Sequence, residues 1–576
     1  MRTSLPFPTA EPGGATWRRM LGHGWTLIGL APALAVALPV LVVVSSLLLP
    51  SGEVWSHLAQ TVLADYVRNT VLLALGVGIG VTLIGVGAAW LVTMCEFPGR
   101  SVLDWALLLP LAVPTYLIGY TYTDLLQYAG PVQGALRELM GWGRDDYWFP
   151  EIRSLGGAVV VMALVLYPYV YLLARAAFLE QCLCLLDVSR TLGRSAWSSF
   201  FEVAVPLARP AIAGGVALAL MEALADFGTV QYFGVSTFTT GIYRTWFALG
   251  EPNAAAQLAA ALMGFVLLVM VLERWSRRFA RYVHTATSRP RPAYRLRGGQ
   301  AALAAVACAA PVLLGFGLPV LVLLDMTLER SDPLLGGMFL ELARNSFLLA
   351  ALAAALTAGL AFLVAYGLRL QPTPVMQASA RIAGLGYAIP GAVIAVGVLI
   401  PFARFDNAVD AWMRATFGIS TGLMLTGTIA VLLFAYLVRF FALALNTVEA
   451  GLAKINRNLD DAARMLGHGP GRSLLRVHLP LLWGSVLTAV ILVFVDVLKE
   501  LPATLILRPF NFETLAVRVY RFAADERLAE ASTAALAIVV VGLLPVILLS
   551  RAIARARPTP PQPAALDADT AQSIRT

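Results

Sequence analysis

The sequence predicts an all-α membrane protein with about twelve transmembrane helices in two tandem six-helix repeats. Hydrophobic residues make up 59% of its 576 residues, charged residues only 13%, and the mean hydropathy is +0.76. A soluble protein of this size cannot bury so much apolar surface, so a lipid bilayer must be its main solvent. Twelve separate apolar segments predict the number of helices. A nearly constant difference in residue number between matching motifs predicts the two repeats.

Each predicted span has at least about 20 mostly apolar residues, the length that a helix needs to cross the hydrocarbon core. The predicted spans lie at roughly 25–49, 69–94, 103–127, 156–179, 210–232 and 254–274, and then at 301–325, 345–369, 381–404, 421–446, 484–506 and 531–551. The chain thus divides into an N-terminal cytoplasmic segment 1–24, transmembrane domains 25–274 and 301–553, an Arg-rich linker 275–300 and a tail 554–576. The tail is polar and Pro-rich, and we expect it to be disordered.

The distribution of arginine predicts the orientation. Eight arginines lie between residues 274 and 297, with no acidic residue after Glu273, whereas the long segment 127–154 mixes arginine with Asp and Glu. Because arginine-rich loops stay on the cytoplasmic side, we expect the linker and both termini to be cytoplasmic. This bias also explains the net charge of +8 better than nucleic-acid binding does.

An internal repeat is indicated by four pairs of matching residues. The pairs Asn69 with Asn345 and Pro114 with Pro390 share a numbering offset of 276, whereas Gly193 with Gly467 and Pro206 with Pro480 share an offset of 274. Because six spans is an even number, both halves enter the membrane in the same sense. We therefore expect parallel repeats that pack around a pathway between them.

The segments after spans four and ten share a motif of acidic and small residues. Its positions are Asp187, Val188, Ser189, Gly193 and Pro206 in the first half, and Asp461, Ala462, Ala463, Gly467 and Pro480 in the second. This pattern resembles the EAA loop of the permeases of binding-protein-dependent ABC importers, the MetI-like family. Asp replaces the Glu of that motif in both copies, and the Ala pair is absent from the first.

The resemblance implies a coupling function. In the family, the short helix of this loop docks into a groove on an ATPase subunit and transmits the motion of that subunit to the membrane helices. Two copies of an ABC ATPase, which bind ATP and magnesium, and a periplasmic or lipid-anchored substrate-binding protein are the implied partners. Small residues suit close docking and Gly467 suits the turn that follows. An ordinary amphipathic loop is the alternative, disfavoured by two copies at equivalent positions.

The sequence lacks an ATPase site of its own. A phosphate-binding loop requires G-x-x-x-x-G-K-[ST], and the chain's lysines, Lys454 and Lys499, follow Ala453 and Leu498. We therefore expect a transport subunit that is not an enzyme and binds no cofactor, and we assign no metal site firmly.

Ferric iron is the cargo that a second resemblance implies. Segments 221–246 and 495–520 look like those of bacterial ferric-iron permeases, which also fuse two MetI-like halves and lie in the cytoplasmic membrane. Thiamine, phosphonate and polyamine permeases are related, so these cargoes remain alternatives. A twelve-helix secondary transporter is a more distant alternative, because it has no use for two coupling loops.

Four carboxylates within spans five and eleven are the candidate translocation pathway. Glu222 and Asp226 lie four residues apart, and Asp496 and Glu500 occupy the matching positions of the second half, at the numbering offset of 274. Carboxylates at membrane depth are costly and usually face a wet pathway or the interior of a helix bundle. Oxygen ligands suit a hard trivalent cation. The alternative is that these acids tie helices together, with Lys499 neutralising one of them, and the sequence leaves both open.

Overall fold

The computed structural model describes residues 13–50, 52–181, 188–189, 191–277, 294–329 and 337–555. The helices of the first half are α1 (Gly13–Ser45), α2 (Gly52–Thr61), α3 (Leu63–Met94), α4 (Arg100–Ala106), α5 (Thr115–Leu126), α6 (Pro131–Met140), α7 (Leu155–Glu180), α8 (Ala196–Ala225), α9 (Gly228–Tyr232), α10 (Phe238–Tyr243) and α11 (Pro252–Arg277). Those of the second half are α12 (Gly299–Glu329), α13 (Gly337–Leu370), α14 (Pro374–Ala383), α15 (Gly391–Phe417), α16 (Ala430–Leu452), α17 (Asn458–Met465), α18 (Pro470–Lys499), α19 (Pro502–Leu507), α20 (Leu515–Ala524) and α21 (Leu528–Arg555).

Shorter elements complete the described part of the chain. There are 3₁₀ turns at Ser46–Leu48, Leu109–Ala112 and Gly386–Ala388, and π turns at Phe200–Ala204, Arg244–Ala248, Leu313–Gly317 and Leu474–His478. Two-residue strands β1 (Cys95–Glu96) and β2 (Tyr294–Arg295) pair in parallel. They join the end of α3 to the segment that leads into α12.

The all-α membrane fold is confirmed. Within the described ranges, eleven helices are long and apolar enough to cross a bilayer, and a helix pair bent by 91°, Arg100–Ala112 with Thr115–Met140, makes up to twelve. This bent pair replaces the straight span predicted at 103–127. Large apolar side chains such as Leu75, Ile79 and Leu83 on α3 are exposed, as expected for a surface that faces lipid.

Four predicted spans are displaced along the chain. Spans predicted at 210–232 and 484–506 correspond to α8 and α18, which begin and end earlier, and the spans predicted at 381–404 and 421–446 correspond to α15 and α16, which begin and end later. The apolar sequence continues past the end of α8 and α18 into the short helices α9 and α19. Hydropathy therefore does not reveal these helix ends, which are set by polar capping instead.

Three of the prolines inside the predicted spans lie at the starts of helices. Pro114 and Pro390 are the residues that precede α5 and α15, with nearly the same ψ of 143° and 141°. Pro502 is the first residue of α19. The first turn of a helix does not use its backbone N–H groups in the helix, so proline costs little there.

The internal repeat is visible in the hydrogen bonds at the start of α3 and α13. The Asn69 side-chain amide donates to the Ser236 carbonyl at 2.9 Å, and that of Asn345 donates to the Glu513 carbonyl at 3.5 Å. In each half, this contact ties the second span to the segment that precedes α10 or α20. The landmark asparagines thus have the same structural function in both halves.

The two halves interlock. Helix α3 packs against α7 and α8, and α13 packs in the same way against α16 and α18. The first helix of each half crosses to the other half, since α1 packs against α14 and α15, and the end of α12 packs against α5. The Tyr122 hydroxyl donates to the Leu314 carbonyl at 2.9 Å across this boundary. Both halves therefore surround a common centre.

Candidate translocation cavity and coupling loops

The four predicted pathway carboxylates line one cavity of about 110 Å³ between the halves. Glu222 lies in α8 and Asp496 in α18, close to the ends of these helices, and Asp226 and Glu500 follow those ends directly. The other polar lining residues are Thr115, Tyr116, Tyr169, Arg439 and Lys499. Span five was predicted to continue to residue 232, whereas α8 ends at Ala225, three residues after Glu222.

Asp226 acts as a cap for the short helix α9. Its carboxylate accepts the Thr115 hydroxyl at 2.6 Å, the Thr229 hydroxyl at 3.0 Å, and the backbone N–H groups of Thr229 and Val230 at 2.9 and 3.3 Å. An acidic residue at this position satisfies N–H groups that have no partner within the helix. These four bonds occupy the carboxylate, so the geometry favours the structural interpretation for Asp226.

Glu500 has the same function in the second half. It accepts the N–H groups of Ala503 and Thr504 at 2.9 and 3.0 Å and the Thr504 hydroxyl at 2.7 Å, which caps α19. The Arg439 guanidinium lies 3.3 Å away and balances its charge. Two of the four candidate residues are therefore engaged in ending one helix and starting the next.

Glu222 and Asp496 remain as the carboxylates that do not cap a helix. Asp496 pairs with Lys499 at 2.9 Å, whereas Glu222 accepts the Tyr387 hydroxyl of the other half at 3.0 Å. No arginine or lysine in the described ranges lies within 4.0 Å of Glu222. Of the four carboxylates, Glu222 thus keeps the most available negative charge.

Both cations of the cavity come from the second half. Arg439 and Lys499 correspond, at the offset of 274, to Val165 and Ala225, which also line the cavity. The sequence analysis missed Arg439, although an arginine within an apolar span is itself a signal of function. The described residues contain no group of three or more His, Cys, Asp or Glu side chains that could hold a metal ion.

The second coupling loop contains a short helix, α17, that carries the motif. Gly467 follows it with φ of +77°, a left-handed conformation that favours glycine, and the His468 N–H donates to the Ala463 carbonyl at 3.0 Å. Ala463 is buried in its own chain, whereas Ala462 is exposed. Of the two alanines expected to suit docking, only Ala462 faces outward, and Asp461 beside it is exposed and pairs with Arg464.

A polar cluster that the sequence analysis missed holds α17 in place. Asp460 lies 2.8 Å from the Arg369 guanidinium and 2.7 Å from Nε2 of His478. Neither Asp460 nor His478 was among the candidate residues of the sequence analysis. The adjacent Asp460 and Asp461 were the available signal, because successive helix positions point about 100° apart and can contact different partners.

The first coupling loop is described only in part, since Asp187 lies outside the described residues. Val188 is exposed and Ser189 is buried, with its hydroxyl 2.7 Å from that of Ser199. Gly193 has φ of +78°, close to the value at Gly467. The two loops thus share the same glycine turn.

The motif prolines do not start their spans. Pro206 lies in the eleventh position of α8, just after the π turn Phe200–Ala204, and Pro480 follows the π turn Leu474–His478 in α18. Both helices begin about a turn after the glycine and run through the proline. A π turn widens the helix locally, and such turns often mark functional positions.

Large apolar side chains are exposed on both loops. The exposed residues are Val188, Leu192, Trp197 and Phe201 on the first loop, and Leu459, Met465, Leu466 and Leu475 on the second. Clusters of exposed apolar residues near the end of a bundle are typical of a protein-binding surface.

The comparison with known proteins agrees with this arrangement. The family model described as "Binding-protein-dependent transport system inner membrane component" matches residues 81–283 and 358–557. The chain belongs to this family. The two matches correspond to the two halves, so the predicted MetI-like permease of the inner membrane is confirmed. An ABC permease of this kind works with an ATPase and a binding protein.

Individual relatives match the chain over different lengths. The Fe(3+)-transport system permease protein FbpB 2 of Haemophilus influenzae is 26% identical over 494 residues, which is 85% of this chain and 90% of the relative. The Molybdenum transport system permease protein ModB of Escherichia coli is 29% identical over 204 residues, 34% of this chain and 86% of the relative. The Sulfate transport system permease protein CysT of the same species is 27% identical over 277 residues, 46% and 97% of the two chains.

Proposed function

We propose that this chain is the permease of an ABC importer for ferric iron, which moves its cargo inward by alternating access. The observation that carries the proposal is the similarity to FbpB 2, which covers nearly the whole of both chains and includes both fused halves. The molybdenum and sulfate permeases match over only a third to a half of this chain. The fused architecture therefore favours iron over those cargoes.

The proposed orientation of the protein in the membrane follows from the arginine-rich linker. Both termini and both coupling loops face the cytoplasm, where one ATPase copy docks on each loop. The segments 231–251 and 508–530 lie at the opposite end of the bundle and receive the periplasmic or lipid-anchored binding protein. Closure of the ATPase pair moves the loops and opens the cavity outward, and ATP hydrolysis resets it inward.

The charges of the cavity support a cationic cargo. Four carboxylates and two basic side chains line it, which leaves a formal charge of −2 when all six are ionised. Asp226 and Glu500 are engaged as caps, so Glu222 is the oxygen ligand most available to a passing cation. Few free oxygens imply weak and transient contact, which a permease needs because it must release its cargo.

Uptake of labelled ferric iron, thiamine and 2-aminoethylphosphonate in a strain that lacks this gene tests the proposal. We expect loss of iron uptake alone, restored by the intact gene. The Glu222→Gln variant should restore it only severalfold less well, because it removes the charge and keeps the size. Glu449→Gln is the matched control, since Glu449 lies in α16 and does not line the cavity.

Either of two outcomes contradicts part of the proposal. Loss of another cargo with iron uptake intact would overturn the iron assignment and leave family membership unaffected. Full iron uptake by Glu222→Gln, at equal amounts of protein in the membrane, would return Glu222 to the structural interpretation.

A further inference from the structure

The cluster that holds the second coupling loop joins four segments of the chain. Arg369 lies at the end of α13, Asp460 in α17 and His478 in the π turn of α18, with exposed side-chain fractions of 9%, 11% and 0%. The ring of Tyr366, one turn before Arg369, lies 5.0 Å from the His478 ring. Arg369, Asp460 and Nε2 of His478 are buried and partnered, as buried charges must be. Nδ1 of His478 is buried without a hydrogen-bond partner among the described residues.

Arg369 also binds the backbone where α16 leads into the second coupling loop. Its guanidinium donates to the carbonyls of Leu452 and Ile455, each at 2.9 Å, where α16 ends and the loop begins. The Tyr366 hydroxyl donates to the Pro470 carbonyl at 3.1 Å, where α18 begins. The end of α16, the coupling helix α17 and the start of α18 are thereby all fastened to the last turn of α13.

Four of the five equivalent positions of the first half have apolar side chains, and the fifth is a threonine. At offsets of 276 and 274, Tyr366 corresponds to Trp90, Arg369 to Thr93, His478 to Ala204, Leu474 to Phe200 and Leu452 to Phe178. The Trp90 ring packs against Phe200 and Phe178, with centroids 4.9 and 5.5 Å apart. Beside this aromatic cluster, the Gln181 amide donates to the Ala204 carbonyl at 2.9 Å, and the Ser189 and Ser199 hydroxyls lie 2.7 Å apart. The described buried contacts of the first loop are therefore apolar or neutral, where those of the second include charge-assisted hydrogen bonds.

We propose that Arg369 and Asp460 are positioning residues for energy coupling, and that the second coupling loop transmits the motion of its ATPase as a rigid lever. Charge-assisted hydrogen bonds are directional and strong at low local dielectric, so α17 cannot move without α13 and α18. The described buried contacts of the first loop are apolar or neutral, and such contacts resist displacement less than charge-assisted hydrogen bonds do. The proposal rests on the proposed function, because it presupposes an ATPase on each loop.

Helix α18 connects the second coupling loop directly to the cavity. Helix α18 begins beside the cluster and carries Asp496 near its other end, and α13 packs along it. A displacement of α17 is thus delivered to the helix that supplies one wall of the cavity.

The test is the ratio of cargo transported to ATP hydrolysed by the whole importer, reconstituted in vesicles with its ATPase and binding protein. Asp460→Asn keeps the size of the side chain and removes the charge that Arg369 and His478 face. We expect this ratio to fall about tenfold or more, as for a broken buried pair. ATPase co-purification and the hydrolysis rate should stay within about twofold, because Asp460 is buried and α17 keeps its outer face.

Three further variants complete the experiment. Asp460→Glu should recover most of the ratio, because it retains a carboxylate. Arg369→Lys keeps the charge but loses the planar guanidinium that reaches the two carbonyls, so its transport-to-hydrolysis ratio should lie between those of Asp460→Asn and the unaltered protein. This variant tests the proposal independently if Asp460→Asn does not fold. Arg381→Gln is the matched control, since Arg381 is exposed in α14, outside both coupling loops, and should leave the ratio unchanged.

Two results overturn the proposal. One is a normal ratio in both Asp460→Asn and Arg369→Lys. The other is a parallel loss of transport, hydrolysis and ATPase co-purification, which would show that the cluster supports only the docking of the ATPase. Failure of the proposed function looks different, since the unaltered protein would then show no ATP-dependent uptake in these vesicles.

Discussion

The two halves of the chain share a backbone plan and differ in where they place charge. At five equivalent positions the second half has a charged residue or histidine and the first half a smaller or uncharged one: Arg369 and Thr93, Arg439 and Val165, His478 and Ala204, Lys499 and Ala225, and Glu526 and Gly250. The first half has a buried pair of its own, in which Arg175 donates to both oxygens of Asp104 at 2.6 and 3.0 Å. Asp104 and Arg175 correspond to Ala380 and Glu449, so this pair also has no counterpart.

The comparison separates two levels of the repeat. Features that depend on the backbone recur in both halves, such as the prolines before α5 and α15, the glycine turns after the coupling motifs and the π turns of α8 and α18. Buried ion pairs do not recur. A backbone feature must recur for two halves to pack as one pathway, whereas an ion pair requires only that its own partners are present.

The largest expected effect comes from the ionic cluster of the second half. Arg369→Met keeps an apolar stem and leaves Asp460 buried without its cation, so the free energy of unfolding should fall by about 3–5 kcal/mol. Thermal or chemical unfolding of the purified protein in detergent measures it. Arg472→Met, at an exposed position of the same loop, should change it by less than about 0.5 kcal/mol. A loss below about 1 kcal/mol for Arg369→Met would mean that water solvates the Asp460 carboxylate in place of the guanidinium.

A smaller effect is expected in the aromatic cluster of the first half. Phe200→Leu introduces the residue that the second half has at the equivalent position, Leu474. Because Trp90 and Phe178 can move toward a smaller apolar neighbour, the loss should be only about 1 kcal/mol. The same unfolding measurement gives the loss for Phe200→Leu, and Leu475→Ala is the control at an exposed position of the second loop. A loss as large as that for Arg369→Met would show that the two anchors are equally rigid, and would remove the physical basis of the contrast.

The sequence was sufficient for the fold because both of its signals are local. Apolar segments long enough to cross a bilayer give the spans, and paired landmarks such as Asn69 and Asn345 give the repeat. The helix ends at Ala225 and Lys499 were missed because they are set by a capping carboxylate within a continuous apolar sequence. Asp226 and Glu500 were found as residues, but their function as caps depends on N–H groups three and four residues later, which a search for buried charge does not consider.

The candidate sites were predictable to different degrees. The coupling motif is contiguous, so its positions could be named, although which alanine faces outward depends on packing against the rest of the chain. The anchoring cluster joins Arg369, Asp460 and His478, which lie in three separate helices far apart in the sequence, and no local pattern indicates such a contact. Arg439 is an exception, because its position in an apolar span is a sufficient signal.

The smallest expected effect lies at the opposite end of the bundle, where the halves differ in one backbone position. Glu526 lies just after α20 with φ of 58°, and Gly250 has φ of 67° at the equivalent turn of the first half. Within the described ranges, Glu526 is the only residue other than glycine with a positive φ. Its side chain reaches Arg153 of the first half at 2.9 Å, with exposed side-chain fractions of 69% and 37% for the two residues.

Glu526→Gly therefore removes two opposing contributions. Relief of the left-handed conformation should stabilise the protein by about 1 kcal/mol, and loss of an exposed ion pair should cost about the same or less. The free energy of unfolding should stay within about 1 kcal/mol of its original value. Gly250→Glu, which adds the strain without a partner, should lower it by about 1 kcal/mol. A loss above about 2 kcal/mol for Glu526→Gly would mean that the bridge to Arg153 holds the halves together more strongly than surface pairs do.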